Sequence, residues 1–177
     1  MRRPLIVLCL LGLVVVTASQ AATPDPAALV LRRGDLRGVG WIPSTNTGYR
    51  TVDQAAQGAP PGTAARFAKA GYLAGYDASW GVRAALVGST AYVFKTAAGA
   101  KRAFKVYRET PPAGTGRIAF TPVGDASLAF RSKRVPKFTA IVWLDGRVLS
   151  IVLTGGLQDN AIRELVRIQN ARVAAAS

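Results

Sequence analysis

Apolar and polar positions alternate with period two over several stretches of this chain and with a period near 3.6 over others, and the change of period predicts its elements. Residues 72–80 place Tyr72, Tyr76 and Trp80 on one face of a strand. After a bend at Gly81, residues 84–95 alternate Leu86, Gly88, Thr90, Tyr92 and Phe94 against Val87, Ser89, Ala91 and Val93, which suits a strand covered on both sides. The two runs read as antiparallel neighbours. Further on, residues 138–144 and 147–154 are β-rich apolar runs joined by Asp145-Gly146, the sequence of a hairpin with a type I′ turn.

Both faces of that hairpin are apolar, with Ala140, Val142 and Leu144 on one side of its first strand and Ile141 and Trp143 on the other. A sheet with one wet face would show polar residues in one of these sets. Each face therefore needs cover. Helices can supply one; the second calls for more protein, a dimer partner or an apolar ligand.

Two segments carry the helical period. Thr96 is placed to cap a helix over 97–109, where Ala100, Ala103, Phe104 and Tyr107 share one face and Lys101, Lys105 and Arg108 gather on another. A last helix over 159–174 buries Ile162, Leu165, Val166 and Val173, with Asp159 and Arg163 spaced to pair along its surface. Shorter helices are expected over 27–33 and over 64–70, the second closed by Gly71. Between them, residues 44–62 are rich in Thr, Gln, Gly and Pro and read as a long loop, a candidate flap with one short strand near 49–52. Residues 110–116 form a second loop, a short strand follows over 117–122, and Gly124-Asp125 begins a strand that runs through Phe130. The fold predicted is α+β: an antiparallel, meander-like β-sheet with two principal helices packed on one face.

The first residues follow a different plan. Arg2 and Arg3 precede an apolar run over 5–16, and Ser19 and Ala21 stand at the spacing a signal peptidase reads. This predicts a signal peptide over 1–21, cleaved after Ala21, and an extracytoplasmic domain over 22–177; retention by an uncleaved N-terminal helix is the alternative. The run is shorter than the ~20 residues a spanning helix needs. Cys9 lies inside it and reads as apolar filling, which leaves the exported domain without a cysteine and its stability to apolar packing.

Composition then narrows the chemistry. The chain has no His, and Glu109 and Glu164 are its only glutamates, so the usual acid–base, nucleophilic and metal constellations have no residues to form from. No serine-hydrolase, metalloprotease or phosphate-loop motif occurs. The sequence therefore predicts neither catalysis, nor a cofactor, nor a metal site. Once Arg2 and Arg3 leave with the leader, 21 basic residues face 9 acidic ones, a net charge of +12. Such a field draws polyanions and anionic surfaces, and export points to phosphate-bearing envelope polymers or lipid headgroups rather than nucleic acid. The anion-binding candidates are Lys101, Lys105 and Arg108 on the helix and Arg131, Lys133, Arg134 and Lys137 in the densest basic run. The apolar ligand-binding candidates are Tyr72, Tyr76, Trp80, Ile141 and Trp143.

The succession of residues 66–81 (RFAKAGYLAGYDASWG), 85–104 (ALVGSTAYVFKTAAGAKRAF), 123–130 (VGDASLAF), 138–156 (FTAIVWLDGRVLSIVLTGG) and 162–173 (IRELVRIQNARV) resembles uncharacterised secreted or lipid-anchored bacterial proteins. Some of these resemble extracellular sensor modules of bacterial receptor kinases. The resemblance implies an α+β, cleft-bearing, noncatalytic domain. Where such modules are disulfide-braced or lipid-anchored, this chain lacks the cysteines for either. The function expected is an exported binding or sensor-like domain that takes a small apolar ligand or an anionic envelope component, with a homodimeric structural envelope protein as the alternative.

Overall fold

The period-two runs of the sequence become one continuous sheet. In the computed structural model, which describes residues 22–133 and 137–176, the elements are α1 (Pro26–Leu29), a single 3₁₀ turn (Arg33–Asp35), β1 (Ile42–Pro43), β2 (Gly48–Arg50), α2 (Val52–Ala55), α3 (Thr63–Lys69), β3 (Tyr72–Val82) and β4 (Ala85–Phe94). They continue with α4 (Ala97–Glu109), β5 (Thr115–Arg117), β6 (Ala126–Ser132), β7 (Phe138–Asp145), β8 (Val148–Gly155) and α5 (Asp159–Ala174). The predicted signal peptide lies outside the described residues. Among the described residues no helix is long and apolar enough to cross a membrane.

All strand pairs are antiparallel, in the order β1-β3-β4-β8-β7-β6-β5, with β2 also pairing with β3. The α+β class is as expected. β3 and β4 form one hairpin, α4 carries the chain across to β5 at the far edge, and β5 to β8 meander back until β8 closes against β4.

The helices do not share a face. On one side of the sheet α5 packs Ile162, Leu165, Val166 and Val173 against Trp80, Val87, Ile141, Trp143 and Val152, with Leu29, Val30 and Leu31 beside it. On the other side α4 packs Ala100, Ala103, Phe104 and Tyr107 against Phe94, Val142, Leu144 and Leu149, with Phe67 of α3. This corrects the expectation of two helices on one face. The reason is the register of the strands: alternate residues of β7 and β8 serve each side, so one helix per face satisfies both apolar sets. Among the described residues, both cores draw only on residues from Leu29 onward.

Three local differences matter for the site. A β-bulge between Tyr72 and Ala74 leaves Leu73 unpaired and turns Tyr72 to the α4 side, while Tyr76 and Trp80 face the α5 side. The β7–β8 turn is Gly146-Arg147 rather than Asp145-Gly146, because Asp145 still pairs with Val148. Only Gly146 has a positive φ, at 53°, the pattern of a type II′ turn. The Asp125 carboxylate accepts from Gly146 N at 2.9 Å and steadies this turn, as a turn aspartate should. Finally, residues 44–62 are not a free flap. β2 is paired to β3, and Tyr49 packs edge-on against Tyr76 at 5.1 Å between centroids and donates to Asp25 at 2.9 Å.

Candidate functional site

The helix α4 covers only part of its sheet face. It begins at the end near the Gly146-Arg147 turn, capped by Thr96 Oγ1, which accepts from Gly99 N at 3.0 Å. It stops at Glu109, just before Pro111 and Pro112, where the chain cannot continue a helix. Beyond that point the sheet face lies bare as the floor of a cleft of about 510 Å³. Val142, Ile151 and Leu153 form much of the floor, and Gly88, with no side chain, keeps it low between them. One wall is the segment from Asn46 to Ala59; the other is Tyr107 at the end of α4 with Pro112.

The polar groups of this cleft converge on Asp77. Arg50 Nε donates to Asp77 Oδ2 at 2.7 Å, while Asp77 Oδ1 is buried and has no hydrogen-bond partner. A buried, unpaired carboxylate oxygen is costly, and native structures seldom leave one without a role. Arg50 is fixed in turn: Tyr72 donates its hydroxyl to the Arg50 carbonyl at 2.8 Å, and an Arg50 guanidinium nitrogen donates to the Asn46 carbonyl. Tyr92 donates to the Ala55 carbonyl at 3.2 Å, tying α2 to the sheet. Burial, with the Asp77 charge added, pushes the phenols of Tyr92 and Tyr107 well above their ordinary value, so both stay neutral. The Tyr72 phenol is raised for the same two reasons, although Arg50 opposes the shift.

The residues singled out from sequence scatter around this cleft. Tyr72 stands behind its wall, stacked with Phe67 at 6.2 Å between centroids. Tyr76 and Trp80 belong to the opposite face. Ile141 and Trp143 are fully buried beneath α5 and present no surface to a ligand. The five expected apolar contacts thus do not form one surface, because the bulge turns Tyr72 to the other face and α5 covers Ile141 and Trp143. Lys101, Lys105 and Arg108 are exposed on the outer side of α4, with Lys105 bonded to Glu109 at 3.2 Å. Arg131, Lys133 and Lys137 stand at the end of the sheet away from the Gly146-Arg147 turn, and Arg134 lies outside the described residues. Asp159 pairs with Arg131 at 2.6 Å rather than with Arg163, which donates to Thr121 at 3.2 Å.

Sequence reasoning singles out Asp77 only as a formal partner for Glu109, which the structure pairs with Arg66 and Lys105 instead, and it misses Arg50 and the floor residues. The signal was present in part: Asp77 interrupts an otherwise uncharged strand of eleven residues.

In fold the chain is similar to the crystal structure of the extracellular domain of PknH from Mycobacterium tuberculosis. The TM-score is 0.54 at 13% sequence identity, over 88% of this chain and 97% of that one. No protein-family model and no curated protein matches the chain.

Proposed function

We propose that this is an exported, noncatalytic binding domain of sensor-like fold, whose cleft takes a small, largely apolar ligand bearing a hydrogen-bond donor. The observation that carries the reading is the unpartnered Oδ1 of Asp77 at the edge of an apolar floor. A hydroxyl, amide or ammonium group of a ligand would satisfy that oxygen, while its apolar body covers Ile151 and Leu153. The cleft is within the size range of small-molecule sites. The likeness of fold to the extracellular domain of PknH supports an exported, sensor-like role. The absence of His, and of any Cys after Cys9, supports binding without turnover.

The test is retention of mass. The chain from Ala22 onward is incubated with a bacterial lipid extract and read by native mass spectrometry. A bound species should appear, should vanish in Leu153→Arg, and should weaken about tenfold in Asp77→Asn, as expected for one charge-assisted hydrogen bond of roughly 1.4 kcal/mol. Retention that is equal in wild type and Leu153→Arg, or no retained species at all, overturns the reading.

A further inference from the structure

The end of the sheet opposite the Gly146-Arg147 turn carries features that the cleft does not use. Among the described residues five large apolar side chains are exposed, and three of them gather here: Val39 at 89%, Ile42 at 70% and Leu86 at 41%. Ile42 and Leu86 both pair with Gly81, which puts them on the two strands that flank β3, on either side of one small residue. Val39 lies against the β3–β4 turn, in a depression shared with Val82, Arg83 and Gly156.

The Val39 loop is built rather than loose. Gly38 and Gly40 flank it with φ of 86° and 83°, which only glycine adopts at ease. Arg33 donates to the Leu36 and Gly38 carbonyls at 3.4 Å each, and Trp41 Nε1 donates to the Arg37 carbonyl at 2.9 Å. The loop therefore holds an apolar side chain out in water, where it gains nothing from folding.

Cations stand along the same end of the sheet. Arg83 sits in the β3–β4 turn at φ 49°, the one non-glycine positive φ among the described residues. Lys133 and Lys137 are exposed on either side of the β6–β7 connection. The carboxylates towards this end, Asp35, Asp159 and Glu164, are each engaged by an arginine, Arg172, Arg131 and Arg167. From β1 to β6 is five strand steps, about 24 Å, so the apolar and basic groups can meet one surface together.

We propose that this end of the sheet docks on an anionic lipid bilayer, with Val39, Ile42 and Leu86 entering the headgroup boundary and Arg83, Lys133 and Lys137 at phosphate level. Neither half of the feature suffices alone. A soluble polyanion would use the cations and leave the apolar side chains in water. A second copy would bring a net charge of +12 against its like. An anionic bilayer satisfies both, through apolar burial and attraction to its surface potential.

The experiment uses the chain from Ala22 onward, which holds every described residue of both cores, and vesicles of phosphatidylglycerol mixed with phosphatidylcholine at about 0.15 M salt. Sedimentation should show binding to these vesicles and little to phosphatidylcholine alone. Val39→Asp with Ile42→Asp should weaken binding at least tenfold, taking roughly the burial of one aliphatic side chain as lost. Lys133→Ser with Lys137→Ser should weaken it about fivefold per charge. Val39→Ser with Ile42→Ser repeats the first test should the aspartate pair fail to fold. Equal binding to both vesicle types overturns the proposal. So does unchanged binding by the Val39/Ile42 variants, which marks a plain polyanion site, or a wild-type dimer that those variants dissociate, which marks a second copy as the occupant.

Discussion

At the scale of single residues, the closest contacts in the fold are set by glycines that leave no room for a side chain. Gly99, in the first turn of α4, is one: a Cβ there would lie 2.1 Å from the backbone oxygen of Ala70. Alanine normally favours a helix over glycine by about 1 kcal/mol, but this contact is with backbone at the end of α3, which cannot swing aside. The clash wins. Gly99→Ala should destabilise the protein by about 2 kcal/mol, seen as a Tm roughly 5 °C lower, whereas Gly34→Ala, with nothing within 4 Å, should leave it unchanged. At this scale the sequence is hardest to read. Tyr72 was expected beside Tyr76 and Trp80, and one unpaired residue, Leu73, moved it to the other face. A bulge has no signature in alternation, since it is a break in the alternation itself.

At the scale of elements, legibility followed the strength of the local signal. The bounds of α4 and α5 fall at 97–109 and 159–174, as the Thr96 cap of α4 and the apolar stripes of both predict. The β7–β8 hairpin is where Asp-Gly put it, one residue out of register in its turn. What periodicity did not show is how the elements are tied to each other, because that depends on polar groups hidden among apolar ones. Gln169 continues the buried stripe of α5 and is fully buried. It accepts from Ser89 Oγ at 2.7 Å and donates to the Thr90 carbonyl at 2.9 Å, while Ser89 Oγ accepts from Leu31 N at 2.8 Å. One network thus joins the chain after α1, the strand β4 and the helix α5. Gln169→Leu and Ser89→Ala should each cost about 1 to 3 kcal/mol by stranding buried partners. The double variant should cost less than the two together by at least ~0.5 kcal/mol in urea unfolding. Additive losses would mean the contacts are independent.

At the scale of the whole molecule, the two faces of the sheet differ in chemistry. The α5 side is closed by Gln169 and by Arg172, which holds both oxygens of Asp35, Nη1 at 2.7 Å and Nη2 at 2.8 Å. The α4 side is partly covered and aromatic, with Tyr72, Tyr92 and Tyr107 all raised in pKa, chiefly by burial. That imbalance fixes how stability responds to base. A phenol whose folded pKa lies above its unfolded value of about 10 binds its proton more tightly when folded. Its contribution is complete below pH 10 and is lost as the pH rises through the range between the two values. Three such groups pack in one cluster, so the loss should be cooperative: Tm should fall steeply above about pH 10. Ultraviolet absorbance of ionised phenols should report these three tyrosines ionising together with unfolding and not before it. Tyr72→Phe keeps the ring but removes one of the three protons, and should make the alkaline limb shallower. An alkaline limb equally steep in that variant would place its cause outside the cluster and leave the Asp77 wall of the cleft less tightly built than its geometry indicates.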